Sequence, residues 1–339
     1  METAVAGTDD LRPMRVGVVG AGFGSRVVAP IFGQIGCDVV DVVSARDSSA
    51  VRALCESKLD LIAVHSPPFL HADHVRLALA GGHAVLCDKP FGRSFDESVA
   101  LAADAKTAGV INLVNFEFRH QPARQKMREL ITSGEVGRPE HLHHSAFTSG
   151  SRIPLRPYGW LFDGALGGGW IGAFGSHAID NMRWLMGEVT SAGARRWVTI
   201  PTRPDAEGRP RSCDAEDAFS AWVEFESGAS ASLDTSFTTT VSLPQRITVT
   251  GSEGVIENTA DVRVVLQRVD GSRQQFDFDP PPGDPHATAM TSWAREVWRS
   301  VVDARQVTPS FDDGVACARV MDMFRSGEPP TVAGAHGTP

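Results

Sequence analysis

Along the first 114 residues, short unbroken apolar runs alternate with amphipathic stretches. Val16, Val18 and Val19 form a β-branched run that ends in Gly20, the pattern of a strand buried on both faces. Comparable runs recur at 39–43, 59–65, 83–87 and 110–114. Helical spacing fills the intervals from about Arg26 to Ile35, from His71 to Ala80 and from Phe95 to Ala108. This alternation predicts a parallel sheet with helices on both faces. Residues 44–58 leave too little chain for a helix–strand–helix excursion, so one strand of the full doubly wound pattern is expected to be missing there.

The period changes after residue 121. Ala123 to Ser133 has helical spacing, with Met127, Leu130 and Ile131 on one face and Gly134 as its stop. The stretches 219–226, 229–236, 246–250 and 262–269 then alternate with period two, which reads as antiparallel strands. Pro280–Gly283 ends them, and helices over Met290–Val302 and Gly314–Phe324 are expected to return to the first unit. The organisation expected is a leader over 1–13, a Rossmann-type α/β domain over 14–121, an α+β domain for substrate and assembly over 122–328, and a mobile tail over 329–339.

Composition narrows the class. The 339 residues suffice for two cores, and no apolar run approaches the ~20 residues of a membrane span. Residues 1–13 lack a basic start and an apolar segment, so they read as a disordered leader and not a signal peptide. The net charge of −9, with acids and bases interleaved, argues against nucleic acid as a partner. The five cysteines are scattered without CxxC spacing, so neither a disulfide framework nor a metal site is expected, and the reading is cytoplasmic.

Chemistry gathers at the carboxyl ends of the predicted strands, where ligands of open α/β sheets bind. Gly20-Ala-Gly22-Phe23-Gly24-Ser25 follows the first strand and opens a helix, the arrangement that brings backbone N–H groups to a pyrophosphate. Ser25 stands at the third fingerprint position and is small enough for helix and strand to pack closely, with Gly24 adding slack. After the second strand, where an NAD site carries an acid for the ribose 2′-hydroxyl, this chain has Ser44 and Arg46. A hydroxyl and a guanidinium suit a 2′-phosphate, so NADP(H) is expected in preference to NAD(H), although Asp47 could also reach a ribose. Asp88-Lys89-Pro90 closes the fourth strand and holds an ammonium at its end. Cys87 beside it has no identifiable base and reads as an inert thiol. His177 and Asp180, three residues apart, share a helix face, with Asp180 expected to orient or to pair with Arg183. The loop 152–163 offers Tyr158, Trp160 and Asp163, with Arg152 or Arg156 available for an anionic group.

Taken together, the glycine turn, Ser66-Pro67-Pro68-Phe-Leu-His71, Cys87-Asp88-Lys89-Pro90-Phe91 and Gly175-Ser176-His177-Ala-Ile-Asp180 are similar, in order and type, to the glucose–fructose oxidoreductase / inositol dehydrogenase (Gfo/Idh/MocA) family. The resemblance runs from about Arg15 to Gly327. It implies a carboxyl-terminal domain on an open, mostly antiparallel sheet whose face forms a homodimer or homotetramer. It also implies catalytic roles for Lys89 and His177 and a cofactor contact by the Ser66–Pro67 turn; with the residues read above, the expected cofactor-binding set is Gly20, Gly22, Phe23, Gly24, Ser25, Ser44, Arg46, Ser66, Pro67, His71, Asp88 and Lys89. The family pattern carries Asp four residues before the histidine; this chain has Ala173, with Asp163, Asp180 or Tyr158 as possible support. The expected activity is hydride transfer between nicotinamide and a secondary alcohol or ketone of a sugar, polyol or cyclic diol. Redox-assisted glycoside cleavage and a catalytically silent cofactor-binding sensor are the alternatives.

Overall fold

The computed structural model describes residues 13–280, 283–326 and 331–332. The expected leader, apart from Pro13, and the expected tail, apart from 331–332, lie outside these residues. Five parallel strands form the first sheet: β1 (Arg15–Val19), β2 (Asp38–Val43), β3 (Leu61–Val64), β4 (Ala84–Cys87) and β5 (Asn112–Val114), in the order β2-β1-β3-β4-β5. The 44–58 link contains only α2 (Ser48–Cys55), so the sheet ends at β2, as the short connection predicts. With this order the connections diverge between β1 and β3, which opens a crevice above the strand ends.

The helix expected from Arg26 begins earlier and differently. Gly24–Val28 is a π turn, and the α-helical part, α1, covers only Ala29–Gln34. α3 (His71–Ala80) and α4 (Phe95–Ala108) keep their expected bounds. Ser94 caps α4 by accepting from the Glu97 N–H, and Gly109 ends it at φ +65°.

After α5 (Pro122–Thr132) the chain builds a nine-stranded mixed sheet. Its strands are β6 (Pro139–Phe147), β7 (Val189–Val198), β10 (Ala218–Phe225), β11 (Ser230–Ser236), β12 (Arg246–Gly251), β13 (Gly254–Thr259), β14 (Arg263–Arg268), β15 (Arg273–Asp277) and β16 (Thr331–Val332), with a separate hairpin of β8 (Thr202–Pro204) and β9 (Pro210–Ser212). All pairings in the large sheet are antiparallel except β6 with β11 and β7 with β16. α5, α6 (Ser176–Met186) and α8 (Phe311–Arg325) pack on one face. On the other face Ser220, Trp222 and Glu224 of β10 stand in solvent.

The last two helices tie the halves together. Met290, Trp293, Val297 and Trp298 of α7 (Ala287–Val302) complete the core formed by Val16, Val28, Ile31 and Phe32. α8 lies against both α4 and β7. Its Gly314 packs so closely on Phe91 that a Cβ would come 2.7 Å from the ring. Between the sheets the buried Arg119 guanidinium binds Asp180 of α6 through two hydrogen bonds, at 2.9 and 2.5 Å, and Asp313 of α8 at 2.8 Å. Among the described residues no helix is long and apolar enough to cross a membrane.

Candidate active site

A cleft of about 600 Å³ runs along the strand ends of the first sheet and is closed on the far side by the second domain. Its floor is Gly20–Phe23, and one end is formed by Ser44, Ala45 and Arg46. His65–Pro68 and Asp88–Pro90 line the middle, and Arg156, Trp160, Leu161, Trp170 and Ala173 the other end.

The glycines show what the floor accommodates. Gly20 has φ +140°, and a Cβ there would lie 2.4 Å from the His65 carbonyl oxygen, so no other residue fits. A Cβ on Gly22 would meet no protein atom within 4 Å, which leaves the space above it for a ligand. Gly24 provides the close helix–strand packing, since its Cβ would come 3.0 Å from Val18 Cγ1 and 3.2 Å from His65 Cβ. Ser25, expected to hold that position, is exposed and off the cleft, because the π turn changes which residue faces β1. The cradle therefore fits a dinucleotide, and Arg26, not foreseen, lines it as well.

At the β2 end, Asp47 is taken up by the fold. Its carboxylate caps α2, accepting from Ala50 N–H at 3.0 Å and Ser49 O–H at 2.6 Å, and these hydrogen bonds lower its pKa. Ser44 and Arg46 are left facing the cleft, both exposed. His71 stands one layer back. Its ring nitrogens lie 2.7 Å from the Ser66 carbonyl oxygen and 3.0 Å from that of Pro90, so the imidazole ties together the two turns that carry Pro67 and Lys89.

Asp88 and Lys89 are set by different forces. Burial opposes the Asp88 charge, yet nearby His65, Lys89 and His71 hold its carboxyl well below the usual range. Its Oδ1 accepts the Lys89 N–H at 2.9 Å, and its Oδ2 lies 3.4 Å from His65 Nδ1. The Lys89 side chain reaches across the cleft instead, and its ammonium donates to the Ala173 carbonyl at 2.9 Å. Ala173 belongs to a second π turn, Ile171–Gly175, which opens α6 as the first opens α1. π turns of this kind occur at functional sites. Cys87 beneath is fully buried, and burial pushes its thiol well above the ordinary range, as an inert thiol requires.

His177 follows that turn on α6 but is absent from the residues lining the cleft. It is only 4% exposed, with its ring 4.3 Å from that of Phe118, and neither ring nitrogen has a hydrogen-bond partner among the described residues. Burial, then the charges of Lys89, His286 and Arg124, push its pKa well below the ordinary value, so the ring is neutral at neutral pH. The carboxylate that faces it is Glu117, with Oε1 at 3.9 Å from His177 Nε2. That same oxygen accepts from His286 Nδ1 at 2.6 Å, and Phe118 stacks on His286 at 5.0 Å.

The acids expected to support His177 are engaged elsewhere. Asp180 binds Arg119 and not Arg183, which pairs with Glu188 at 2.6 Å. Burial outweighs Arg119 and raises the Asp180 pKa. Asp163 accepts from Tyr158 O–H at 2.9 Å and caps the turn 164–166 with its other oxygen, so Asp163 and Tyr158 shape the loop. In the same loop Arg156 is pinned by its backbone, its N–H on Ser151 O and its carbonyl under Arg203. Its exposed guanidinium makes no hydrogen bond or ion pair among the described residues. Trp170 is fixed by an Nε1–H bond to Thr235 at 2.8 Å and by stacking on Phe237 at 4.2 Å. Glu117 was visible in the sequence only as a polar residue past the fifth strand, and nothing there linked His286 to it.

Comparison with known proteins places this architecture. The family description "Oxidoreductase family, NAD-binding Rossmann fold" matches residues 36–116, and "GFO/IDH/MocA C-terminal domain" matches 124–257. The chain is 29% identical over 223 residues to an uncharacterized oxidoreductase of Synechocystis, a match spanning 60% of each protein. It is 25% identical to levoglucosan dehydrogenase of Pseudarthrobacter phenanthrenivorans over 78% of this chain and 77% of that one. With D-apiose dehydrogenase of Paraburkholderia graminis it shares 28% identity over 84% of this chain and 69% of the other. The solved structure of levoglucosan dehydrogenase with NADH superposes with a TM-score of 0.83 at 21% identity, covering 93% and 96% of the two chains, which shows the common fold. The chain belongs to the Gfo/Idh/MocA family of oxidoreductases.

Proposed function

We propose that this protein is an NADP(H)-preferring dehydrogenase that oxidises a secondary alcohol of a sugar, polyol or related cyclic diol, or reduces the matching ketone. The observation that carries the reading is one cleft in which a dinucleotide cradle, a fixed lysine ammonium and an aromatic- and arginine-lined end share the same space. Names of related proteins support the substrate class: levoglucosan, D-apiose, D-xylose and scyllo-inositol dehydrogenases are all among them. The same reading assigns 14–121 to cofactor, 122–328 to substrate and assembly, a homodimer or homotetramer through the open sheet face, and a cytoplasmic setting.

Gly20, Gly22, Gly24 and Arg26 would hold the pyrophosphate, Ser44 and Arg46 the 2′-phosphate, and Ser66–Pro68 with Lys89 the nicotinamide end. When bound, the nicotinamide serves as hydride acceptor or donor. Lys89 uses one N–H on Ala173, which fixes the ammonium and leaves two donors for a substrate oxygen. Its charge stabilises the alkoxide that develops as the alcohol is oxidised. His177, neutral in the resting protein, takes the hydroxyl proton.

The test is a turnover screen with NADP+ and NAD+ against levoglucosan, D-apiose, D-xylose and scyllo-inositol, followed by Lys89→Ala. With the best substrate, Lys89→Ala is expected to lose activity by about 10²-fold or more while NADPH binding, followed by fluorescence, persists. Wild-type turnover in that variant sinks the mechanism. Release of free sugar without net cofactor reduction would instead indicate redox-assisted glycoside cleavage, and tight NADPH binding without turnover would indicate a sensor.

A further inference from the structure

The catalytic reading leaves His177 without an obvious carboxylate to support its charged form, because position 173 carries a methyl group and Asp163 and Asp180 are engaged elsewhere. The surroundings of the ring supply one. Lys89 faces it from the end of β4, Arg124 from α5, His286 from the start of α7, and Arg119 lies beyond with Asp180 and Asp313. Arg124 is itself neutralised by Asp261 at 2.8 Å. From α8, Cys317 donates to the Ser176 carbonyl, next to His177. Among the described residues, Glu117 is the one carboxylate within 4 Å of the ring. Its side chain is 1% exposed, and among the described residues its Oε2 has no partner, so the hydrogen bond that holds the group there is the one between Oε1 and His286. The rings are organised too: Phe118 stacks on His286 and meets the His177 ring at a tilt.

We propose that Glu117, held by His286, is the positioning carboxylate for His177, and that this buried pair takes over the role left vacant by Ala173. The proposal rests on His177 acting as the base. In the oxidative direction the substrate O–H proton passes to the imidazole, which becomes imidazolium. The O–H electron pair becomes the new C=O bond as the carbinol hydrogen leaves as hydride to bound NADP+. The Glu117 carboxylate stabilises the imidazolium beside it. Such a carboxylate raises the basicity of a buried histidine, as a nearby anion favours the charged form. His286 keeps Glu117 from turning away by donating a hydrogen bond to its Oε1.

The experiment compares wild type, Glu117→Gln, Glu117→Asp and His177→Asn with saturating NADP+ and whichever of levoglucosan, D-xylose or scyllo-inositol the wild type oxidises fastest. Glu117→Gln is expected to lower kcat/KM about tenfold or more and to move the acid limb of its pH profile down by about one unit, with NADPH affinity within twofold of wild type. Glu117→Asp, which keeps the charge but shortens its reach to the ring, should recover part of the rate and leave the acid limb between those of wild type and Glu117→Gln. If Glu117→Gln does not fold, the Glu117→Asp variant decides, and a wild-type rate with an unmoved limb there overturns the proposal. A wild-type rate and pH profile in Glu117→Gln also overturns it, as does a rate loss matched by an equal loss of NADPH affinity. Should His177→Asn itself keep full turnover, the catalytic reading fails first, which separates that failure from one confined to Glu117.

Discussion

Gly20 and Gly22, two residues apart, are glycines for different reasons, and substitution should separate them. Alanine at 20 would need φ +140° and would press on the His65 carbonyl, so Gly20→Ala should cost stability as well as cofactor. Alanine at 22 meets no protein atom, so Gly22→Ala should keep the wild-type melting temperature of the apoprotein while NADPH affinity falls by tenfold or more. Thermal unfolding and fluorescence titration of the two variants check the pair. If the proposed preference for NADP(H) rests on Arg46, Arg46→Asp should weaken NADPH binding more than NADH binding, read from the two dissociation constants. These positions were legible in the sequence because each reports on its immediate neighbours. Glu117 and His286 were not, since they lie 169 positions apart and only the closed fold brings them to 2.6 Å. Asp47 shows the reverse limit, a residue whose type suits a ribose but whose carboxylate is engaged by its own helix.

Elements announced themselves where their ends carry local chemistry. α3 and α4 kept their expected bounds, and for α4 the Ser94 cap and left-handed Gly109 explain why. The two π turns had no such signal, because an extra residue in a helical turn leaves the apolar period almost unchanged over five residues. β6 was passed over although its Leu142, His144 and Ala146 alternate inward, since histidines dilute the pattern on both faces. Its parallel pairing with β11 joins segments separated by the whole of α6, β7 and β10, and no local rule specifies it. α8 is the element most exposed to a single change. Gly314→Val would drive methyl groups into Phe91, already 2.7 Å from a bare Cβ, and should lower stability by about 1–3 kcal/mol in urea unfolding.

For the molecule as a whole, buried neutral imidazoles set the response to acid. Burial and Arg119 bring His120 down to about 4, and burial and Arg124 bring His144 down to about 3. In the unfolded chain both protonate near pH 6.5, so below that pH the unfolded state binds more protons than the folded one. Stability is therefore lost from about pH 6.5 down to the folded values, at about 1.4 kcal/mol per pH unit for each group. Urea midpoints at pH 7.5 and 5.0 should show that fall, and His120→Gln should flatten it. An unchanged slope in that variant would count against the assignment.

The position of α7 has a consequence for how the protein comes into being. Trp293 and Trp298 fill the core against Val28 and Phe32, so the first domain is finished by residues from far along the chain. On the ribosome the cofactor-binding half would wait, its apolar flank uncovered, until α7 had been made. Chaperone demand during synthesis should accordingly be set by the distance along the chain between α1 and α7, and a version cut before residue 287 should emerge unable to bind nucleotide despite retaining its glycine turn.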